Sequence, residues 1–418
     1  MVVVLKIAFV HKKLEIMKNY MNLIEINTVQ SFIFLALISI IFSCQDDKLN
    51  KNNTEIRIEE KNTMVQLETD SMDEFLFQET QISELIKSVR YLPIKSNGAY
   101  EINNPIKVTS SNEHILVLDS EKEALNVLLL DKNANLILKL DNEIIDGFIT
   151  DVHLSLDQIS ILDAHNNKIR KFSLSGKDMG EIDISFEAVN ISYDPILKRY
   201  CLHTPYGDDA DDFGVVILDE NNLSVSWGVG QANDGMLMPI SERFFSLSDG
   251  NVFYSNFSEK DIFEIDLSGE ITNLLTIDVP NAGTGIKLDP SSWGDQNALN
   301  SYLIDQPINK IVANNKYVVI DKFMDNGRFS FLYNRLSGET IKIKHTMRVD
   351  NFGPRFDFFF QKFIGSSESE FISLLSAEKF NQIKQFVVDQ ANYQDSYLIH
   401  TPTVEDSDQP VLIFYTFN

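Results

Sequence analysis

Short alternating runs of apolar and polar residues recur along the chain from about residue 67 to residue 418. The runs are rich in Ile, Val, Leu, Phe and Tyr, and turns of Asp, Asn, Ser and Gly separate them. Because successive side chains of a strand point to opposite faces, this pattern is typical of half-buried β-strands. We therefore expect an all-β protein with many short strands.

The strands follow a repeat of about 45 residues. A strand that ends in aspartate recurs, with Asp119 and Asp163 lying 44 residues apart. The turn Leu-Ser-Gly occurs three times and ends at Gly176, Gly269 and Gly338. The first two turns are 93 residues apart, or two repeats, and the third follows after 69 residues, or one repeat and an insertion. Four strands in about 45 residues is the period of a β-propeller blade.

The repeat predicts a six-bladed β-propeller of four-stranded blades. One blade cannot bury both of its faces, so the blades must pack radially and close into a ring. The stretch Ser88–Ile94 precedes the first blade and is predicted to complete the last one as a latch. A solenoid is the rival architecture, but it needs shorter and more uniform repeats. The predicted blades span residues 105–140, 149–184, 188–229, 239–279, 308–346 and 355–418.

The first 44 residues predict a targeting segment. Residues 32–42 form an apolar run that is too short to span a bilayer but suits the central region of a signal peptide. Lys18 supplies positive charge upstream, and initiation at Met17 would give a more ordinary signal length. The run ends in Ile-Phe-Ser before Cys44, which resembles the lipobox of bacterial lipoproteins and predicts lipidation of Cys44. The alternative is a plain secretory signal with an incidental cysteine.

Residues 45–66 are polar and rich in Asn, and they predict a flexible tether ahead of a propeller domain at 67–418. The tether begins with Gln45, Asp46 and Asp47, which resemble the short acidic export signal of surface lipoproteins in Bacteroidetes. A solvated linker rich in Asp and Asn explains the same residues. The sequence therefore predicts an outer-membrane lipoprotein and leaves its periplasmic or surface-exposed orientation open.

The charge balance limits the classes of partner. Sixty-one Asp and Glu residues oppose 36 Lys and Arg residues, which gives a formal net charge of −25. Such a chain lacks the basic surface that binds nucleic acid or anionic lipid headgroups. The two cysteines are too few for a disulfide framework or a Cys-rich zinc site. Cys201 is predicted to be a small buried residue on a strand.

The sequence contains no local motif for a catalytic metal or nucleophile. The seven histidines are scattered, and the HExxH, GxSxG and Walker patterns are absent. We therefore expect no catalytic residues and no cofactor. One acidic loop has carboxylates that could bind calcium, although a solvated turn explains the loop more simply. The candidate ligands are Asp208, Asp209, Asp211 and Asp212.

Aromatic residues near turns are the candidates for ligand binding. Trp293 lies in a long insertion at 281–306, Trp227 ends a strand before a glycine, and Tyr206 opens the acidic loop. Such rings stack on sugars or anchor peptides, but they also cap the apolar edges of blades. They are therefore hypotheses for a binding site.

Near the C-terminus, residues 366–388 have apolar residues at helical spacing, in two stripes that point in different directions. This pattern predicts helical structure with a break near Ser376. We interpret it as a short helical insertion in the last blade that packs on the propeller.

Four segments together resemble the 6-bladed β-propeller lipoprotein family of Bacteroidetes, which is distantly similar to NHL-repeat propellers. The segments are the strand at 114–119, the insertion at 350–356 and 371–378, and the closing strand within 405–415. The resemblance covers about residues 82–418. One departure is the sequence at 141–147, where the family often has a Gly-Pro-Gly-Glu-like turn. The resemblance implies architecture and location more than activity.

Three functions remain open. The leading hypothesis is a lipid-anchored, non-catalytic binding module for a protein, peptide or glycan. The first alternative is a carbohydrate-active or lyase-type enzyme that uses carboxylates in the propeller channel, with Asp119, Asp163 and Asp321 at equivalent blade positions. Turn aspartates also recur for turn geometry, which favours a structural role for these three. The second alternative is a scaffold subunit of an outer-membrane complex.

Overall fold

The alternating runs of the sequence form short strands, and the strands are grouped into sheets that follow one another along the chain. All described residues belong to one unit of the chain, residues 53–418. The computed structural model describes residues 58–60, 64–66, 86–95, 100, 102, 104–121, 124–145, 147–204, 214–223, 225–229, 244–247, 250–255, 260–268, 270–278, 298, 301, 308–324, 327–344, 363–389, 403–404 and 410–418.

Among the described residues, three strands precede blade one: β1 (Ile58–Glu60), β2 (Met64–Gln66) and β3 (Ile86–Pro93). Blade one contains β4 (Pro105–Ser110), β5 (His114–Glu121), β6 (Ala124–Asp131) and β7 (Leu136–Leu140), and helix α1 (Asn142–Ile145) follows it. Blade two contains β8 (Asp151–Leu154), β9 (Gln158–Asp163), β10 (Lys168–Ser173) and β11 (Asp178–Asp183). Blade three contains β12 (Asn190–Asp194), β13 (Arg199–His203), β14 (Val215–Asp219) and β15 (Val225–Val229).

Blade four contains β16 (Phe244–Ser246), β17 (Val252–Tyr254), β18 (Asp261–Asp266) and β19 (Glu270–Asp278). Blade five contains β20 (Lys310–Ala313), β21 (Tyr317–Met324), β22 (Gly327–Asn334) and β23 (Thr340–Lys344). Blade six contains β24 (Gly365–Ser366), β25 (Glu370–Leu375), helix α2 (Ala377–Asp389) and β26 (Val411–Phe417). These strands confirm the predicted all-β class, and the six groups follow the predicted blade boundaries closely.

Blade six is completed by a strand from the other end of the chain. β3 pairs with β26 in antiparallel register, with Ser88 opposite Thr416 and Pro93 opposite Val411. The predicted latch over Ser88–Ile94 is therefore confirmed. The first strands of blades six and one, β24 and β4, pair in parallel at the seam between them. We call the end of the ring where the first strands of the blades begin the upper face, and the opposite end the lower face.

Apolar side chains hold neighbouring blades together. On β5, Ile115 and Val117 pack toward blade six, whereas Leu116 and Leu118 pack toward blade two. This alternation follows from the period of a strand, in which successive side chains point to opposite faces. Each buried Leu or Ile contributes roughly 1.5–3 kcal/mol to folding. The stability of each blade therefore depends on contact with both neighbours.

The helix predicted at 366–388 is only partly present. Residues Glu370–Leu375 form β25, which pairs with β26 along its whole length, and the helix begins at Ala377. The prediction was wrong for the first half, because pairing with a distant strand outweighs the local helical spacing. The break near Ser376 is confirmed, since the backbone N–H of Phe380 donates to the Ser376 carbonyl as α2 begins. Within the described part of the chain, neither helix is long and apolar enough to cross a membrane.

The predicted tether at 45–66 contains two strands. β1 and β2 both pair in parallel with β19, with Ile58 opposite Ile271 and Met64 opposite Thr276. The flexible-tether prediction is therefore wrong for these six residues. The physical reason is the outer edge of blade four, where β19 presents unpaired backbone N–H and C=O groups that an extended segment can satisfy.

Candidate functional site

Polar side chains connect the first strands of blades one, two and three near the upper face. The Nζ atom of Lys107 lies 2.7 Å from Oδ1 of Asp151 and 3.0 Å from the Val152 carbonyl oxygen. The other carboxylate oxygen of Asp151 accepts a hydrogen bond from the Ile191 backbone N–H at 3.0 Å and one from Asn190 at 3.3 Å. The Asp151 carboxylate therefore connects three neighbouring blades, and we call this group the axial polar cluster.

Two histidines extend the axial polar cluster. Nδ1 of His203 lies 2.9 Å from Oδ1 of Asn190, and its ring stacks on Phe244 of blade four with 5.8 Å between the ring centroids. His153, two residues after Asp151, is 1% exposed. Burial and the positive charge of Lys107 lower the pKa of His153 to about 3. The imidazole is therefore neutral at physiological pH, because burial disfavours its charged form.

The low pKa of His153 predicts that the fold becomes less stable at acid pH. The folded pKa lies below the 6.5 of an unperturbed histidine, so the free energy of unfolding decreases as the pH falls from 6.5 toward 3. Each pH unit corresponds to about 1.4 kcal/mol, so at pH 4.5 this residue lowers the free energy of unfolding by roughly 2–3 kcal/mol. We expect His153→Gln to remove this part of the acid destabilisation, measured by urea unfolding at pH 7.5 and pH 4.5.

The exposed histidine of the same blade supplies the control. His165→Gln should leave the difference in unfolding free energy between the two pH values unchanged. If the unfolding free energy of His153→Gln decreases between pH 7.5 and pH 4.5 as much as that of the unmodified chain, His153 is not the source of the acid destabilisation.

The three aspartates at equivalent blade positions lie toward the upper face and accept hydrogen bonds from neighbouring turn, loop and strand residues. Asp119 accepts hydrogen bonds from the Asn104 backbone N–H at 2.8 Å and from the Tyr100 hydroxyl at 2.7 Å. Asp163 accepts two from Asn166, and Asp321 accepts one from the Ser330 hydroxyl. All three carboxylates are at most 5% exposed. These contacts agree with a structural role for the repeated aspartates.

Cys201 is fully buried on β13 in the apolar cluster between blades three and four. The prediction that it is a buried strand residue is confirmed. Burial raises the pKa of its thiol well above the ordinary value, so the reactive thiolate is disfavoured.

A cavity of about 310 Å³ opens on the lower face at the seam between blades one and six. We call it the seam cavity. Three hairpin turns and the latch strand contribute to its wall, and polar side chains dominate it. Its lining residues are Arg90, Ser110, Ser111, Asn112, Ile115, Lys132, Asn133, Ser367, Glu368, Ser369 and Glu370.

Part of this lining is fixed by contacts within the protein. The guanidinium of Arg90 lies 3.8 Å from the centre of the Phe414 ring, and its Nη2 lies 3.2 Å from an oxygen of Glu370. The Ser367 hydroxyl accepts hydrogen bonds from the backbone N–H groups of Ser369 and Glu370, which shapes the turn of blade six. The Arg90 contacts hold the latch strand against blade six, and the Ser367 contacts fix the adjacent turn.

Other polar groups of the seam cavity have no side-chain partner among the described residues. Among the described residues, no hydrogen bond or ion pair engages the side chains of Asn112, Asn133 and Glu368. All three are exposed. Their amide and carboxylate groups can therefore donate to or accept from a bound molecule without breaking a contact in the fold.

Most site residues predicted from sequence lie outside the described residues. These are Cys44, Tyr206, Trp293 and the acidic-loop residues Asp208, Asp209, Asp211 and Asp212. Trp227 lies on β15, the outermost strand of blade three, with its backbone opposite Ile217. It thus belongs to a different blade from those that form the seam cavity. Within the described ranges, no group of three or more metal-binding side chains comes together.

The residues of the seam cavity were not predicted from sequence, although a signal was present. Ser110–Asn112 and Ser367–Glu370 are both polar turns that follow the first strand of a blade. The predicted closure of the ring makes blades one and six neighbours. Turns at equivalent positions in these two blades must then lie side by side.

The family comparison agrees with this architecture. The model of the family DUF5128, described as 6-bladed beta-propeller, matches residues 51–373. The chain belongs to the DUF5128 family. The resemblance to 6-bladed propellers of Bacteroidetes inferred from the sequence is thereby confirmed.

Solved structures similar to this DUF5128 propeller also come from Bacteroides. A protein of Bacteroides fragilis NCTC 9343 that is inferred to be exported has a TM-score of 0.60 and 14% identity, over 80% of this chain and 96% of its own. A DUF4221 member from Bacteroides vulgatus ATCC 8482 has a TM-score of 0.47 and 10% identity, over 80% and 97%. At these identities the likeness concerns the fold alone. A search of curated proteins gave no match.

Proposed function

We propose that this DUF5128 propeller is a lipid-anchored binding module of the outer membrane, without catalytic activity of its own. Its ligand is a neutral, hydroxyl-rich molecule such as a short glycan, bound in the seam cavity. The observation that carries the proposal is the set of unpartnered amide and carboxylate side chains in a cavity on the surface of the ring.

The size and chemistry of the seam cavity favour a sugar over a protein or peptide. Small-molecule sites commonly begin at about 300 Å³, close to the 310 Å³ found here. Protein interfaces have an apolar, aromatic centre, whereas among the described lining residues of this cavity Ile115 alone is large and apolar. A sugar hydroxyl donates and accepts at once, which matches the carboxamides of Asn112 and Asn133 and the carboxylate of Glu368.

Charge favours a neutral ligand. Arg90 and Lys132 balance Glu368 and Glu370 in the wall of the seam cavity, so the described part of the lining has no net charge. The chain as a whole has a formal net charge of −25. Its field opposes the approach of anionic molecules. We therefore infer a neutral glycan rather than an acidic one.

The polar groups of the axial polar cluster support a non-catalytic role. Asp151 is engaged by Lys107 and by a backbone N–H, so it is not free to accept a proton from a substrate. A histidine with a pKa of about 3 is a weak base near neutral pH, far from the range that suits general acid–base catalysis. This cluster is therefore better explained by structure than by catalysis.

The anchor is supported by the sequence around Cys44. An apolar run of signal-peptide length ends in Ile-Phe-Ser-Cys, and a diacylated cysteine would hold the mature chain at the membrane. An alkyne-modified fatty acid fed to cells should label the unmodified chain but not Cys44→Ser. Labelling of Cys44→Ser at an equal level would contradict the anchor.

The binding role is tested with purified protein beginning at residue 45. We expect calorimetric titration with neutral oligosaccharides (maltotriose, mannobiose, xylobiose and chitobiose) to give saturable binding to at least one, and polygalacturonate to give none. The double variant Asn133→Ala, Glu368→Ala should weaken that binding about tenfold to a hundredfold, because it removes two hydrogen-bonding groups.

A matched double variant at exposed positions away from the seam, Asn221→Ala with Glu187→Ala, should bind as the unmodified chain does. Equal binding by the seam variant would contradict the seam cavity as the site. Recovery of a protein partner in equal amounts from membranes, with no sugar bound by the pure chain, would favour the scaffold alternative instead.

A further inference from the structure

The outer edge of blade four is covered by the protein's own N-terminal segment. β1 pairs with β19 from Ile58 opposite Ile271 to Glu60 opposite Asn273. β2 continues from Met64 opposite Thr276 to Gln66 opposite Asp278. The offset between partners changes by a single residue between β1 and β2. β1 and β2 therefore follow the same edge of β19 with a one-residue change of register between them, and we call these two strands together the added strand.

The edge it covers is well suited to strand addition. β19 has nine residues, and it is rich in the Ile, Leu and Thr that favour strands. An edge of this kind pairs readily with another extended chain unless something blocks it. The outer strand of blade two, β11, is protected differently, because its charged residues are exposed and its pairing with β10 is irregular. β1 and β2 instead cover the edge of blade four.

The direction of the added strand fixes the face of the propeller at which Ile58 lies. β19 begins at the turn after Asp266, which lies on the lower face because it joins the third and fourth strands of its blade. Because β1 is parallel to β19, Ile58 lies near that turn and Gln66 lies toward the upper face. Ile58 therefore lies at the lower face, the face on which the seam cavity opens.

We propose that the added strand 58–66 orients the anchored propeller, so that its lower face and the seam cavity are held toward the membrane. This inference rests on the proposed anchor at Cys44. Thirteen residues, 45–57, then separate the lipid from the first residue of the added strand. Fully extended they span at most about 43–47 Å. A tether of this length that starts at the lower face keeps the seam cavity within the layer of molecules closest to the membrane.

The partner implied by this orientation is a neutral glycan displayed at the membrane surface. A soluble polymer arriving from the bulk solvent would meet the upper face first. A short carbohydrate chain that projects from the membrane would instead meet the lower face, where the cavity opens. The geometry thus narrows the ligand class from neutral glycans in general to those attached at the same surface.

Energy transfer to a membrane dye tests the orientation without relying on lipidation in the cell. The chain from residue 45, with a His tag in place of Cys44, is bound to phosphatidylcholine vesicles that contain a nickel-chelating lipid and an acceptor dye. A donor dye is placed at Ser268→Cys on the lower face or at His165→Cys on the upper face, both exposed positions. Cys201 is buried, so the introduced thiol is labelled selectively.

We expect transfer from position 268 to exceed transfer from position 165 by about twofold, since a blade with strands of six to nine residues separates the faces by roughly 20–30 Å. Replacing residues 58–66 by nine Gly and Ser residues should abolish this difference and remove hydrogen-exchange protection from those amides of β19 that face β1 and β2 rather than β18. The same replacement at residues 45–53, outside the added strand, should preserve both. Equal transfer from the two positions in the unmodified chain would overturn the proposal.

These outcomes are separate from those of the proposed function. The vesicle experiment involves no sugar and no lipidated cysteine, so a failure there concerns the orientation alone. Absence of fatty-acid labelling or of oligosaccharide binding would instead contradict the anchor or the binding role.

Discussion

Replacing Gly365 with alanine is expected to destabilise the propeller by more than about 3 kcal/mol, the largest effect of any single methyl group considered for this fold. Gly365 lies on β24 directly opposite Val108 of β4, at the seam that closes the ring. A Cβ atom at this position would lie 1.6 Å from the Val108 carbonyl oxygen and 2.6 Å from its carbonyl carbon. Both atoms are backbone, so no side-chain rotation relieves the overlap.

The strands must separate to accommodate the methyl group. Separation breaks the 3.0 Å hydrogen bond from the Val108 N–H to the Ile364 carbonyl and exposes the apolar cluster between blades one and six. Urea unfolding followed by tryptophan fluorescence or circular dichroism gives the change in free energy. Because the seam cavity spans the same two blades, the variant should also bind sugars more weakly.

Gly338→Ala is the matched control. Gly338 has a φ of 75°, and no atom lies within 4 Å of the position its Cβ would take. Its replacement therefore measures the backbone cost alone, about 1–2 kcal/mol for a left-handed residue. If Gly365→Ala costs no more than Gly338→Ala, the close approach of β24 to β4 is contradicted.

Removal of the Asp151 carboxylate is the second change with a large expected effect. Asp151→Ala leaves the ammonium group of Lys107 and the N–H of Ile191 without their partner. The Asp151 side chain is 3% exposed and that of Lys107 is 18% exposed. Breaking one side of a buried ion pair typically costs 3–5 kcal/mol, and the partial exposure of Lys107 places the expected loss near the lower end, about 3 kcal/mol.

A double-mutant cycle separates the ion pair from other effects of the substitution. Lys107→Met with Asp151→Ala removes both charges, so the double variant should be more stable than the sum of the two single losses by about 1–2 kcal/mol. The measurement is the free energy of unfolding of all four proteins at pH 7.5. Additive losses would indicate that the two charges do not stabilise one another, contrary to their 2.7 Å contact.

The blades could be predicted from the sequence because their signal is local. Each blade uses strands of alternating polarity, and Asp119 and Asp163 recur one repeat apart in the last residues of equivalent strands. The latch at Ser88–Ile94 followed from the same reasoning, since a strand left over before the first blade has one natural partner in a closed ring. The alternation of side chains along each strand and the closure of the ring therefore predict most of the fold.

The parts that could not be predicted depend on contacts between distant segments. Glu370–Leu375 has helical spacing, but β26 offers it a full set of backbone partners, and pairing decides its structure. β1 and β2 lie in a segment with weak alternation, and they form strands because β19 has an open edge. The local pattern of a segment does not indicate which distant strand it will pair with.

The seam cavity illustrates the same limit for the site. Asn133 and Glu368 are more than 230 residues apart in the sequence, and each lies in an ordinary polar turn. Only closure of the ring brings them to one cavity. The aromatic residues predicted from the sequence did not lead to this cavity. Trp227 lies on blade three, and Trp293 lies outside the described residues.

Hydrogen exchange measured with and without a bound oligosaccharide tests the central claim most directly. The chain from residue 45 is saturated with whichever of the four neutral oligosaccharides binds in calorimetry, and the sugar is recovered afterwards for mass analysis. The account predicts slower exchange in the turns at 110–112, 132–133 and 367–370, with the sugar recovered unchanged. Protection confined to the upper face, or a sugar that has been cleaved, would contradict a non-catalytic binding site at the seam.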